Sequence, residues 1–295
     1  MSNFSPLRYP GGKNRLAKFI KLVIQNLNIA NCTYVEPFAG GAGVALALLL
    51  DGTVDRIVIN DYDKAVYSFW RAVKQSPDEL IDRIISTPIT MEEWHKQKEI
   101  YSLAKGYSID LAFATLFLNR TNYSGILKAG PIGGYAQAGL WNLKVRFNKD
   151  AIIKKIQAIS QRRKEIIVYN KDIISLLHNY VPKLDGNIFF YFDPPYYQKG
   201  QKLYENFFTH EDHKIIHDVI TKEVNAPWVI TYDDVQPISE MYCDYPIRRF
   251  DLTYSAANKG IASELMIFSD ISGCPTITQL QNNCIQINFR DGGSV

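Results

Sequence analysis

The residues best equipped to do chemistry together are Asp193-Pro194-Pro195-Tyr196. They follow a dense apolar run, Ile188-Phe189-Phe190-Tyr191-Phe192, itself preceded by the turn-forming Asp185-Gly186-Asn187. A short run of bulky aromatic and β-branched residues between turn signals predicts a buried parallel strand. In an open α/β sheet, ligands lie beyond the carboxyl ends of the strands, so Asp193 ends a central strand and Tyr196 sits at the mouth of a crevice. The two prolines fix φ and remove two backbone donors, leaving the carbonyls of Asp193 and Pro194 as acceptors for something else. A carboxylate, a free carbonyl and an aromatic plate suit a planar substrate amine: two acceptors for its N–H groups and a ring to stack on. A capping Asp before a Pro-Pro turn is the plainer reading. The strand before it, the Tyr after it and a glycine loop upstream favour the functional one.

That loop follows a predicted strand, Thr33-Tyr34-Val35-Glu36, and runs Pro37-Phe38-Ala39-Gly40-Gly41-Ala42-Gly43 into a helix over 44–50. Strand, glycine loop, helix is the layout that presents backbone N–H groups to a cofactor. Pro37-Phe38 stands where a dinucleotide fold needs its first tight turn, and Glu36 would repel a pyrophosphate, so the pattern suits a cofactor bearing positive charge. A second strand over 56–59 ends at Asn60-Asp61, where an acid hydrogen-bonds ribose hydroxyls in nucleoside-binding sheets. Capping the next helix is the other role open to Asp61. Asp172, just past a strand over 165–169, is placed to contact a cofactor base. Gly11-Gly12 permits close backbone approach, and Lys13 lies near the start of a helix over 14–26, where the dipole favours an anion; a solvated lysine fits equally well. His210, His213 and His217 have helical spacing but no cysteine or acid partner, so packing is favoured over zinc and no metal site is expected.

The elements that must position these groups alternate β and α up to residue 63, and again from 164. Between them, helical periodicity over 64–85, 91–104 and 108–119 interrupts the pattern, followed by a polar, glycine-rich run over 128–139 read as a loop or hairpin. Asn148 caps a helix over 149–161 whose Lys154, Lys155, Arg162, Arg163 and Lys164 form a solvated basic edge. Residues 197–208 lack periodicity and read as a loop that closes on substrate. Thr209 and Asp212 form a capping box. A strand over 228–232 and two late strands, 246–254 and 263–270, complete the sheet, the last two as an antiparallel hairpin with its polar tip at 255–260. The fold class is therefore α/β: a mostly parallel sheet with an antiparallel hairpin at one edge, formed by residues 1–63 and 164–270. An inserted, mainly helical subdomain spans 64–163, and 271–295 is expected to be a loosely held tail. Within the insertion, basic and polar side chains interleaved with Tyr123, Tyr135 and Trp141 suit a nucleic-acid surface, though a helical cap over a small-molecule site has the same pattern.

Composition sets outer bounds. At 295 residues, 46% apolar and 21% charged, the chain reads as one soluble α/β domain with an insertion. No stretch approaches the roughly 20 apolar residues a membrane span needs. Cys32, Cys243, Cys274 and Cys284 form no C-x-x-C pair, which points to a reducing cytoplasm. A net charge of +3 permits a nucleic-acid partner without requiring one.

Taken in order, Tyr9-Pro10-Gly11-Gly12-Lys13, Glu36-Pro37-Phe38-Ala39-Gly40, Asn60-Asp61, Leu118-Asn119-Arg120 and Asp193-Pro194-Pro195-Tyr196 resemble the D12 class (Dam-like, α group) of adenine-N6 DNA methyltransferases. The resemblance spans residues 5 to about 270. It implies a Rossmann-like methyltransferase sheet, S-adenosylmethionine as cofactor, and target recognition by the insertion. It further implies an adenine flipped out of double-stranded DNA, because its amino group is unreachable within the stack. By the same resemblance, Tyr9, Lys13, Asp61 and Asp193 contact the cofactor, with Glu36, Pro37, Phe38 and Gly40 beside its methionine part. Asp193, Pro194 and Tyr196 then carry the chemistry, while Arg120, Asn122, Tyr123, Ser124 and Lys128 contact DNA. A monomer or weak dimer in the cytoplasm is implied, with room for a cognate restriction endonuclease. Ser124 and Lys128 depart from the Asn and Arg of GATC-methylating members, which argues against that target. A cytosine-N4 or RNA-adenine methyltransferase and an inactive DNA-binding paralogue are the alternatives.

Overall fold

Eight strands form one sheet in the order β3-β2-β1-β4-β5-β7-β6-β8. The computed structural model describes residues 4–8, 13–198, 208–253 and 261–290. In chain order the elements are α1 (Ala17–Asn26), β1 (Cys32–Glu36), α2 (Gly43–Leu50), β2 (Arg56–Asn60), α3 (Lys64–Gln75), α4 (Pro77–Ser86), α5 (Met91–Leu103), α6 (Ile109–Thr121) and α7 (Lys149–Gln161). There follow β3 (Ile166–Tyr169), an irregular helical stretch over 173–183, β4 (Asn187–Phe192), α8 (His210–Glu223), β5 (Trp228–Asp233), α9 (Gln236–Met241), β6 (Ile247–Thr253), β7 (Ile261–Phe268), α10 (Ile277–Asn282) and β8 (Asn288–Phe289). Strands β1 to β5 pair in parallel, while β7 runs antiparallel to β5 and to β6. The expected hairpin is therefore present. It is not the sheet's last element, because β8 adds antiparallel to β6.

Strand order reverses between β1 and β4, and that switch point fixes where a ligand fits. Both strands are apolar along their length because both faces of the sheet are covered. Tyr34, Ile57, Phe189, Tyr191 and Met266 face a core shared with α1, α2, α3, α6 and α7. Their neighbours Val35, Val58, Phe190, Phe192 and Leu265 face the opposite way, toward α8 and α9. This is the two-residue period of a pleated strand, read on both faces at once.

The whole of residues 64–163 elaborates one crossover, from β2 to its parallel neighbour β3. Caps punctuate it: Asp63, Thr90, Ser108 and Asn148 each accept a backbone N–H of the helix they start. Helix α6 is buried from Leu111 through Asn119, as its all-round apolar sequence requires. Its Leu116 and Phe117 share one core with Leu46 and Phe189 of the sheet layer, so these helices have no separate core of their own. The basic edge of α7 is only partly solvated. Lys155 reaches back to the Ser5 carbonyl at 3.0 Å and Arg162 to the Leu49 carbonyl at 3.0 Å.

The tail expectation fails as far as residue 290. Thr276 and Gln279 form a capping box at the start of α10. Gln279 Nε2 donates to Asn26 Oδ1 of α1 at 2.7 Å, Leu280 is buried, and Phe289 packs edge-on against Phe19 at 6.0 Å. A polar composition hid this because only a few apolar residues dock, and their partners lie in α1, far away in sequence. Residues 9–12, most of the expected closing loop (199–207), the hairpin tip (254–260) and 291–295 lie outside the described residues.

A docked tail makes Leu280→Ala costly: we expect a loss of about 2–4 kcal/mol in denaturant unfolding. A loss under about 0.5 kcal/mol would mean a tail that contributes nothing.

Candidate active site

The carboxyl ends of the parallel strands present a row of acids: Glu36 from β1, Asp61 after β2, Asp193 after β4 and Asp233 from β5. Thr231 Oγ1 donates to Asp193 Oδ1 at 2.8 Å and in turn pairs with the Tyr191 hydroxyl at 2.8 Å. Lys13 Nζ lies 3.4 Å from the same Oδ1. Asp193 Oδ2 and the Pro194 carbonyl receive no hydrogen bond from any described residue. The turn beyond is clamped by Asp233, whose two oxygens accept the N–H groups of Tyr197 at 2.8 Å and Gln198 at 2.9 Å.

Lys13 is the cation of the site and is 6% exposed. It donates to Glu264 Oε2 at 2.8 Å and to the Tyr196 hydroxyl, while Tyr196 donates to Glu264 Oε1 at 2.5 Å. Burial pushes the Lys13 ammonium down, but Asp193 and Glu264 more than offset it and its pKa rises. Burial also raises Asp193 and Glu264, against the pull of Lys13, because a single ammonium serves two carboxylates.

How Lys13 arrives there explains much of α6. Asn119 accepts the Arg8 N–H at 2.7 Å and donates to the Arg8 carbonyl at 2.9 Å and to the Gly125 carbonyl at 2.9 Å. Arg120 donates to the Pro6 carbonyl and Lys155 to that of Ser5. The N-terminal strap is thus tied to α6 and α7 before it delivers Lys13. Gly125 (φ +78°) fits beneath it, since a Cβ there would stand 2.3 Å from the Arg8 carbonyl oxygen.

On the glycine-loop side, Glu36 is 5% exposed and accepts the Ala45 N–H at 3.1 Å. Burial, opposed by that bond and reinforced by Asp193, lifts its pKa to about 8. Asp61 accepts Gly40 N at 2.8 Å and Asp63 N at 2.9 Å, and burial with the nearby Asp63 lifts it to about 7. Asp63, not Asp61, caps the next helix, and Asp61 instead ties β2 to the loop. The N–H groups of Ala39, Gly40 and Ala42 are all engaged within this network. The loop therefore offers buried carboxyls more than free donors. Asn60 pins its start, donating to the Pro37 carbonyl at 2.9 Å, and Phe38 is half-buried beside Phe208. Asp172 is exposed and caps the helical turn at 173–175 by accepting Ser175 N at 2.8 Å. Tyr9 lies outside the described residues.

The DNA-contact candidates separate into two groups. Tyr123 is 57% exposed, Lys128 is exposed, and Ser124 turns the chain with φ +56°. Asn122 is fully buried: it accepts from Trp94 Nε1 at 2.7 Å and donates to the carbonyls of Ile126 and Leu127 at 3.0 and 2.9 Å. Its side chain builds the 122–127 loop and cannot reach a partner. Burial and the neighbouring Arg8 lower Arg120 to about 10.

Glu264, Thr231 and Arg8 were missed in the sequence. Glu264 left one trace, an acid directly before the apolar run Leu265-Met266-Ile267-Phe268. His213 is buried with Nδ1 3.0 Å from the Tyr232 hydroxyl, while His217 pairs with Asp218 at 3.0 Å, so these histidines serve packing and surface.

Acids around a strand-order switch point, in a sheet ordered 3-2-1-4-5-7-6 with β7 antiparallel, define a Rossmann-like methyltransferase. Residues 9–256 match the D12 class N6 adenine-specific DNA methyltransferases, and the chain belongs to that family. Its activity is adenine-specific methylation of DNA. Among curated relatives, the type II methyltransferase M.MjaIII of Methanocaldococcus jannaschii is 24% identical over 64% of this chain and 68% of its own. The type II methyltransferase M1.LlaDCHI of Lactococcus lactis subsp. cremoris is 22% identical over 88% and 93%. A solved rRNA methyltransferase, AviRa of Streptomyces viridochromogenes, aligns with a TM-score of 0.42 at 12% identity, over 88% of this chain and 86% of its own. The class rests on strand order and not on that distant match.

The raised carboxyl of Glu36 has a measurable consequence. A carboxyl whose folded pKa lies above its unfolded value gives stability that is complete below about pH 4.5 and lost as pH rises toward 8. Glu36→Gln is therefore expected to raise the melting temperature of the ligand-free protein at pH 9, by the equivalent of roughly 3–5 kcal/mol at most. The gain should vanish near pH 4, and a variant no more stable at pH 9 would refute the assignment.

Proposed function

We propose that the methyl donor is S-adenosylmethionine and that the acceptor is an adenine flipped out of duplex DNA into the space over Tyr196. The observation that carries this is the pair of unengaged acceptors, Asp193 Oδ2 and the Pro194 carbonyl, beside the half-buried Tyr196 ring.

The residues present suit the donor. Buried Glu36 and half-buried Asp61 have no cation paired to them among the described residues, and a cationic ligand would supply the missing charge. S-adenosylmethionine supplies an electrophilic methyl on a sulfonium. Glu36, with Pro37, Phe38 and Gly40 around it, holds the charged methionine part, and Asp61 holds the ribose. Lys13 lies between the two halves of the site. Tyr9 and Asp172 complete the cofactor contacts in this reading.

Asp193 and Pro194 do the chemistry by orientation. An exocyclic amine is a poor nucleophile because its lone pair is delocalised into the ring. Accepting one N–H on Asp193 Oδ2 and the other on the Pro194 carbonyl pyramidalises the nitrogen and aims the lone pair. Tyr196 fixes the plane of the base. Methyl transfer would break the methyl–sulfur bond as the C–N bond forms, leaving a neutral thioether, and the nitrogen would give up one proton, for which Asp193 Oδ2 is the adjacent base. Positioning and electrostatics carry the rate.

Duplex DNA is read by the 64–163 region. Exposed Tyr123, Tyr135 and Trp141 offer stacking faces. Arg120, Arg8 and Lys155 repel one another at the root of the same loop, a density of cations that suits backbone phosphate. Ser124 and Lys128 read base edges, while Asn122 acts by shaping the loop. In this reading the protein works as a monomer or weak dimer in the cytoplasm, with a cognate restriction endonuclease as a partner.

The test is modification-sensitive sequencing of DNA from cells expressing the protein or Asp193→Ala. We expect N6-methyladenine in one sequence motif with the intact protein alone; its absence from both would refute the proposal. Lys128→Ala should change the motif more than the rate, and an unchanged motif would remove Lys128 from base reading.

A further inference from the structure

We propose that Glu264 is a positioning residue for methyl transfer, a buried carboxylate on β7 that sets the plane of Tyr196 and holds Lys13 off Asp193. The proposal deepens the function above and rests on that reading, in which the target base stacks on Tyr196.

Glu264 is 0% exposed and lies in the strand inserted between β5 and β6, directly opposite Asp233. Its two oxygens serve two different partners. Oε1 accepts the Tyr196 hydroxyl at 2.5 Å, and Oε2 accepts Lys13 Nζ at 2.8 Å. Residues far apart in sequence, from the N-terminal strap and from the turn after β4, are thus fixed by one rigid group in the centre of the sheet. Charge-assisted bonds of this kind are short and roughly twice as strong as neutral ones.

Stability alone does not explain an acid here. Replacing a buried ion pair by apolar residues of similar size is often neutral or stabilising, and β7 is apolar from Leu265 to Phe268. Geometry does explain it. Tyr196 stacks usefully only if its ring is held at one angle, and a hydroxyl anchored to a carboxylate at the far end of the ring stops it rocking. Lys13 is also closer to Glu264 (2.8 Å) than to Asp193 (3.4 Å). Without Glu264 the ammonium keeps Asp193 as its one carboxylate partner among the described residues. It would then compete with the substrate amine for the group that must orient that amine.

The test uses Glu264→Gln, Tyr196→Phe and the double variant on a duplex carrying the methylated motif, with circular dichroism to confirm folding. We expect Glu264→Gln to lower the single-turnover rate about 10–100-fold, the scale of an ångström-sized misplacement, with duplex affinity within about twofold of wild type. Tyr196→Phe keeps the ring and loses the anchor, so the double variant should be no slower than Glu264→Gln alone, whereas independent effects would multiply. With 2-aminopurine in place of the target adenine, the quenching by Tyr196 seen in wild type should weaken in both single variants. An unchanged rate in Glu264→Gln, or multiplying losses in the double variant, overturns the role of Glu264. If Glu264→Gln fails to fold, Tyr196→Phe decides alone, and full rate with full quenching overturns the proposal. A wild type that binds the duplex without methylating it refutes the proposed function and the role of Glu264 together. A methylating wild type with an unaffected Glu264→Gln refutes only the latter.

Discussion

A single buried ammonium, Lys13, stands among Asp193, Glu264 and Tyr196, and the surrounding architecture is arranged to bring it there. Its partners come from β4, β7 and the turn after β4. Lys13 itself directly precedes the helical turn at 14–16 and belongs to no strand of the sheet. Burying an ammonium is costly unless it is paired and hydrogen-bonded. The strap must therefore be delivered with little freedom, and the bonds from Asn119, Arg120 and Lys155 to its backbone do this. Helix α6 consequently serves three ends at once: it fills the core, holds the strap by its last turn, and starts the loop whose Tyr123 faces outward.

The remaining acids follow a different logic. Glu36 and Asp61 have no cation to balance them among the described residues, and burial lifts the pKa of Glu36 to about 8 and that of Asp61 to about 7. Such carboxyls are poor stabilisers of an empty site and good receptors for a positive ligand. The glycine loop between them spends its own N–H groups on Asn60, Asp61 and Ala39, so its shape is set before any ligand arrives. Pre-organisation of this kind lowers the ordering cost of binding.

The link between the proposed reactive centre and the proposed target-reading loop is short. Asn119 lies on the last turn of α6 and Asn122 follows directly after the helix, three residues on. One holds the strap that carries Lys13, and the other holds the loop that carries Ser124 and Lys128. Both are buried and satisfied, so the loop and the reactive centre share a rigid support. The two functions share one continuous core rather than a linker.

The sequence by itself determined what depends on neighbours within a few residues. The strand before Asp193, the glycine loop after Glu36, the capping box at Thr209 and the helical periodicity of 64–119 were legible because period and turn chemistry are local, although the stretch read as one helix over 64–85 breaks at Pro77. The Asp-Pro-Pro-Tyr turn stood out for the same reason, through the fixed φ of proline. Only the tertiary structure decided what lies across the sheet. Glu264 carries no motif, and its meaning comes from Lys13 and Tyr196, distant in sequence. Asn122 read as a DNA contact because it sits among polar loop residues, yet Trp94 claims it. The docked segment over 271–290 looked loose because its few apolar side chains find their partners in α1 and β6. In each case the deciding contact is between residues far apart in the chain, and no local pattern encodes such a contact.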